Sequence, residues 1–262
     1  MTNTQIQFDD GAAYERYMGV WSHLAGEIFL DWLAPKSGQR WLDVGCGNGA
    51  FTEMIIERCA PALVRGVDPS EGQLTFARAR LAPGVAQFVQ GDAMALPFPE
   101  NNFDVAVMPL VIFFVPEPAK GVAEMVRVVA PCGIVTAYAW DMVGGGFPYE
   151  ALHAEMHAMG AEVRTPPVPD ASRLDVMRDL WSGAGLKKVE TRAITVQRKF
   201  ADLEDYWTTV LGGPSVRPGL LALAPAQLAQ LKTRMTALLP ADPNGRITYS
   251  ARCHAVTGRV SE

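Results

Sequence analysis

RWLDVGCGNGAFTEMI, from Arg40 to Ile55, passes from an apolar burst through three glycines at alternate positions into a helical pattern. A strand, a glycine turn and a helix in that order open a parallel sheet, in which ligands sit beyond the carboxyl ends of the strands. The glycines fall at 45, 47 and 49. A dinucleotide fingerprint needs G-x-G-x-x-G and a P-loop needs a closing Gly-Lys-Ser/Thr, and this turn has neither. Asp43 lies inside the apolar strand, two residues before Gly45. A carboxylate there is costly unless paired, and it suits a ligand with positive charge better than a pyrophosphate.

Outward from this unit the alternation continues. LVRGVD reads as a strand, EGQLTFARARL as a helix, VAQFVQGD and FDVAVMP as strands, PAKGVAEMVRVVAP as a helix and CGIVTAYAW as a fifth strand. The expected fold class is α/β, a doubly wound, Rossmann-like and mostly parallel sheet. Residues 12 to 33 carry apolar positions at helical spacing, consistent with one or two helices broken near Gly19. After Trp140 the chain is punctuated by Gly and Pro. EALHAEMHAM and RLDVMRDLWSGAGL read as helices there, KKVETRAITVQRKF as an alternating strand, ADLEDYWTTVL and APAQLAQLKTRMTALL as helices, and GRITYSARCHAVTGRV as the last strand.

With 262 residues, 49% of them hydrophobic, the chain can bury a sizeable core. A formal net charge of −5 offers no field to hold a polyanion, so nucleic acid is not the expected partner. The N-terminal MTNTQIQFDDGAAYERY has no basic start leading into an apolar stretch, and no run approaches the ~20 apolar residues of a membrane span. A cytoplasmic protein is expected. Cys46, Cys59, Cys132 and Cys253 occur singly, which predicts reduced and mostly buried thiols and no metal site.

Asp68 ends the second strand, where a carboxylate can accept from both hydroxyls of a ribose, and Asp92 ends the third, near where an adenine edge would lie. Helix capping competes for both, since Asp68 and Ser70 precede EGQLTFARARL. In order along residues 38 to 140, LDVGCGNG, GVDPSEGQLTFAR, GDAMALPFPENNFDVAV and AEMVRVVAPCGIV resemble the motifs of class I S-adenosylmethionine-dependent methyltransferases. The nearest group is the small-molecule one that includes the ubiquinone and menaquinone biosynthesis methyltransferases. The resemblance implies seven strands with the last antiparallel, and S-adenosylmethionine as cofactor. It further implies that Gly45 and Gly47 approach the methionine part while Asp43 meets its ammonium. Asp68 would hold the ribose, with Pro69 and Ser70 shaping the turn. Asp92 and the Ala93 N–H would meet the adenine, and Met108 and Pro109 would pass beside the methionine chain.

One domain over 1–262 is expected: a helical lid at 1–37, a cofactor-binding core at 38–140, and acceptor-side insertions with the last strands at 141–262. In YERYMGVW, which resembles a segment lying over the cofactor in such enzymes, Tyr14, Tyr17 and Trp21 are lid candidates, with ordinary helix packing as the competing use. Phe113, Trp140, Asp141, His153 and Trp207 are acceptor-side candidates, and their apolar setting suggests a small apolar or aromatic acceptor methylated at O, N or C. Tyr138, His157 and His254 could also help move a proton, and no motif assigns a catalytic base. His153 and His157 stand four apart, a metal-compatible spacing, but the metalloprotease pattern fails and surface imidazoles are the expected outcome. MPLVIFFVPEP lacks both the Asn/Asp-Pro-Pro-aromatic run of nucleic-acid amino methyltransferases and the polar residue that many small-molecule relatives carry around Phe113. A cofactor-binding module without turnover and an NAD-dependent dehydrogenase are the alternatives; oligomeric state is not legible.

Overall fold

The computed structural model describes residues 15–262. Its sheet contains β1 (Arg40–Val44), β2 (Leu63–Asp68), β3 (Gln87–Gln90), β4 (Phe103–Pro109), β5 (Val129–Trp140), β6 (Lys187–Phe200) and β7 (Ile247–Arg259). In space they run β3-β2-β1-β4-β5-β7-β6. β1 to β5 are parallel to one another, whereas β7 lies between β5 and β6 and is antiparallel to both. The chain steps outward from β1 through β2 to β3 and then returns to the other side of β1. That reversal opens a crevice at the carboxyl ends of β1 and β4.

Burial follows the sequence pattern. β1 and β4 are covered on both faces and read as nearly continuous apolar runs, whereas β6, at the edge, alternates buried and exposed residues from Ile194 to Phe200. Helix α1 (Val20–Leu33) buries Trp21, Ala25, Phe29 and Leu30, one stripe at helical spacing. Phe29 meets Tyr138 of β5 at 4.6 Å, and Phe51 of α2 (Ala50–Cys59) meets Tyr138 at 5.5 Å, so three aromatic rings fasten two helices to the sheet. Helix α3 (Glu71–Arg80) starts at Ser70, whose side chain accepts from the Gln73 N–H, a cap worth about 1 kcal/mol. Helix α4 (Pro118–Val128) leads directly into β5. Beyond β5 come α5 (Glu150–Ala158), α6 (Leu174–Gly183), α7 (Leu203–Val210), α8 (Arg217–Ala222) and α9 (Pro225–Leu238). Trp181 of α6 is buried and donates its indole N–H to the Val135 carbonyl at 2.8 Å, pinning α6 to β5.

Three local expectations are corrected. Gly19 does not break the helix: its φ of −56° and ψ of −45° are helical, and it joins a π-helical turn (Glu15–Gly19) to α1. β5 begins at Val129 and not at Cys132, with residues 130 to 133 bulged out of register against β4 and Cys132 at φ +63°. Helix α8 was not expected, because six residues containing Pro218 and Gly219 carry no readable period. Cys46, Cys59 and Cys253 are buried free thiols and Cys132 is exposed. Among the described residues no helix is long and apolar enough to cross a membrane.

Candidate functional site

The turn between β1 and α2 is built from glycines in the left-handed region, with φ of +73° at Gly45, +52° at Gly47 and +80° at Gly49. At Gly45 a Cβ would also come within 2.5 Å of the Val111 side chain, so no other residue fits there without displacement. The turn satisfies its own donors. The N–H groups of Gly45 and Cys46 donate to the Val67 carbonyl at 2.7 and 3.1 Å, and that of Gly49 donates to the Cys46 carbonyl at 2.9 Å. The Gly47 N–H donates to Asp68 Oδ2 at 3.0 Å. Four of the turn's N–H groups are thus committed within the fold and do not face a phosphate.

Beneath the turn the charge is negative. Asp43 is 0% exposed; Oδ2 accepts from Thr52 Oγ1 at 2.7 Å, and Oδ1 has no partner among the described residues. Burial pushes its pKa up from 3.8 to about 7, against the Thr52 hydrogen bond, and the nearby Asp68 charge adds to the rise. Asp68 accepts from the N–H groups of Gly47 and Ser70, and burial again raises its pKa. The expected competing use is therefore present at Asp68, although a carboxylate offers about four acceptor positions and two N–H groups leave room. The Pro69 carbonyl accepts from Gln90 Nε2 at 3.0 Å, tying this turn to β3. Asp92 accepts the Met94 N–H at 2.8 Å within its own turn, which carries Ala93. Met108 and Pro109 are buried at the end of β4. Leu110 follows at φ +59°, costly for a leucine, and its N–H donates to the Tyr138 carbonyl at 2.7 Å; Val111 then sits against Gly45.

Three further residues complete this end of the sheet. Thr52 is one; the others are Asn48, whose Nδ2 donates to Glu15 at 3.1 Å, and Glu15 itself, which also takes Arg80 at 2.8 Å. Arg80 in turn holds Glu53. Nothing in the local pattern flags Glu15, since its partners lie far along the chain.

The acceptor-side candidates divide. Tyr14 lies outside the described residues. Tyr17 and Trp21 are interior: Tyr17 stacks on Tyr149 at 4.3 Å, and Trp21 Nε1 donates to the Tyr149 hydroxyl at 3.1 Å. That hydroxyl donates to the Tyr17 carbonyl at 2.5 Å, and Arg198 donates to the Arg16 carbonyl at 3.0 Å. This is the geometry of core packing. Phe113 is buried in a 3-10 turn (Ile112–Phe114), and its carbonyl accepts from the Val168 N–H. Trp140 and Trp207 are buried with indole N–H groups lacking partners among the described residues. Asp141 is tied into its own loop by Arg252 at 2.5 Å and by the Gly144 N–H at 2.8 Å, with His254 at 3.7 Å. Burial pushes its carboxyl upward, and the Arg252 hydrogen bond, with the others, overcomes this to hold it low.

His153 corrects an expectation. It is buried and not a surface imidazole, because α5 turns Leu152, His153 and Met156 inward while His157 faces outward. Burial lowers its pKa to about 4, keeping it neutral, and Nε2 lies 3.5 Å from Ser215 Oγ. Among the described residues no group of three or more potential ligands could hold a metal.

Residues 42–137 match the methyltransferase domain family. Over 111 residues the chain is 38% identical to the ubiquinone/menaquinone biosynthesis C-methyltransferase UbiE of Roseobacter denitrificans, covering 41% of this chain and 44% of the relative. It is 35% identical over 100 residues to a fatty-acid O-methyltransferase of Mycolicibacterium smegmatis, covering 38% of this chain and 36% of the relative. The matched part therefore spans less than half the length of these relatives. The phosphoethanolamine N-methyltransferase 2 of Haemonchus contortus, solved with S-adenosyl-L-methionine, shares the fold at a TM-score of 0.61 and 17% identity, over 96% of this chain and 56% of that one. The chain is thus similar to class I S-adenosylmethionine-dependent methyltransferases of the UbiE kind. The matching segment contains Asp43, the glycine turn, Asp68, Asp92 and Met108; the cluster around Tyr149 lies outside it.

Proposed function

We propose that this chain binds S-adenosylmethionine across the carboxyl ends of β1, β2 and β3 and transfers its methyl group to a small molecule with an apolar or aromatic body. One observation carries the reading: Asp43 is a fully buried carboxylate with one oxygen unpartnered among the described residues, beneath a glycine turn that has four of its N–H groups committed within the fold. Such a turn disfavours phosphate and favours a cation, and an amino-acid ammonium supplies one. Gly45 and Gly47 let the main chain pass close to the ligand. Asp68 has acceptor capacity left for ribose hydroxyls, with Pro69 and Ser70 fixing its turn. Asp92 and the Ala93 N–H flank the adenine, and Met108 and Pro109 wall the methionine chain.

The donor supplies an electrophilic methyl on a sulfonium. The protein's contribution is position, since holding donor and acceptor at about 3 to 3.5 Å removes much of the barrier to an in-line displacement. Phe113, Trp140, Asp141, His153 and Trp207 are proposed to shape the acceptor side, Asp141 by holding its loop. The named relatives methylate carbon, oxygen and nitrogen, so the atom methylated does not carry over.

Calorimetric titration with S-adenosylmethionine, S-adenosylhomocysteine and NADH tests the reading. Binding of the first two in the micromolar range, with NADH inert, is the expected result. No binding of either by folded, ligand-free protein would overturn it, and binding of NADH alone would favour a dehydrogenase. Release of S-adenosylhomocysteine in an acceptor screen separates an enzyme from a binding module.

A further inference from the structure

A cavity of about 230 Å3 lies where the π-helical turn meets the end of α7 and the start of α8, lined by Arg16, Thr208, Thr209, Leu211, Gly212 and Arg217. Its volume equals that of about eight waters, enough for a charged head group with a small ring and too little for a whole nucleoside donor. Neither arginine has a carboxylate partner among the described residues, whereas Arg40, Arg80, Arg127 and Arg252 are each paired with one. Thr209 is 1% exposed, and its hydroxyl, shielded from solvent, has no partner among the described residues. In a chain of net charge −5, two arginines without carboxylate partners that line one cavity attract an anion, and their planar forks match carboxylate or phosphate oxygens. Leu211 adds an apolar wall beside them.

The cavity is joined in sequence to residues of both halves of the proposed site. Glu15, one residue before Arg16, holds Asn48 of the glycine turn, and Thr208 follows Trp207 of the proposed acceptor side.

We infer that this cavity binds the carboxylate or phosphate of the methyl acceptor through Arg16 and Arg217, so that the acceptor is a small amphipathic acid. The word acceptor rests on the methyltransferase reading; the anion site does not.

Calorimetric titrations of the full chain with benzoate, phenylphosphate and the neutral benzyl alcohol, each with and without S-adenosylhomocysteine, test the inference. At least one anion should bind tenfold or more tighter than the alcohol, and the margin should shrink as salt is raised. The double variant R16Q/R217Q, altered at two exposed positions, should lose that margin while its affinity for S-adenosylhomocysteine stays within twofold. Preference for benzoate or phenylphosphate identifies the oxyanion. Anions binding no tighter than benzyl alcohol, or a margin that survives the double substitution, would overturn the inference. Failure of S-adenosylhomocysteine to bind the same folded sample would refute the methyltransferase reading and leave the anion result standing.

Discussion

Asp43 places opposite demands on the ligand-free protein and on its complex. Its folded carboxyl titrates at about 7 against an unfolded value near 4, so between those pH values the folded state holds a proton that the unfolded chain has released. Stability attributable to this group is full below about pH 4 and is lost as the pH rises through 7. Asp43→Asn should therefore melt no lower than the wild type at pH 8, while binding S-adenosylmethionine about 1–3 kcal/mol more weakly; thermal melts and titration check both. Affinity for S-adenosylmethionine should also rise through about pH 7 as Asp43 ionises, whereas 5′-methylthioadenosine, which lacks the amino-acid part, should show no such rise. Asp68→Ala should cost about 1–3 kcal/mol of donor affinity, and unchanged affinity in a folded variant would remove Asp68 from the site. A charge inside an apolar run marked Asp43 in the sequence. Its satisfaction by Thr52, and the tie from Glu15 to Asn48 across 33 positions, could not be read there, because partners chosen by the fold leave no local pattern. The spacing of His153 and His157 likewise said nothing about which ring turns inward.

Among the elements, the π-helical turn and α1 hold the question of a lid. The Tyr149 hydroxyl connects Trp21, Tyr17 and Arg198, so Tyr149→Phe leaves the Trp21 indole N–H unpartnered and should cost about 1–3 kcal/mol of stability. If the segment serves only as core, affinity for S-adenosylmethionine should stay within twofold. A parallel loss of affinity, measured by titration below the melting range, would show that the segment also covers the donor. Legibility varied with the physics of each element. β1, β2 and β4 announced themselves by apolar runs and β6 by its alternation, since covering one face or two leaves different patterns. The start of β5 was hidden by the bulge around Pro131 and Gly133, and α8 by being shorter than two full helical periods.

Across the whole molecule, the proposed donor edge is assembled from residues close in sequence, while the proposed acceptor side depends on late strands. β7 is inserted between β5 and β6, and among the described residues β6 has no other strand beside it. A chain ending at residue 246 would bare the edges of both β5 and β6, and it should be recovered as aggregate by size exclusion, even though the matched segment 42–137 is intact. The same insertion orders events on the ribosome. Elongation proceeds at about 5–20 residues per second, so β6 waits unpaired on the order of seconds until β7 emerges. β1 to β4 meet no such delay, whereas the outer edge of β5 waits longer still, and the nascent chain completes the proposed donor edge before its far side exists. The interval in which it most needs shielding from its neighbours is the one between β6 and β7.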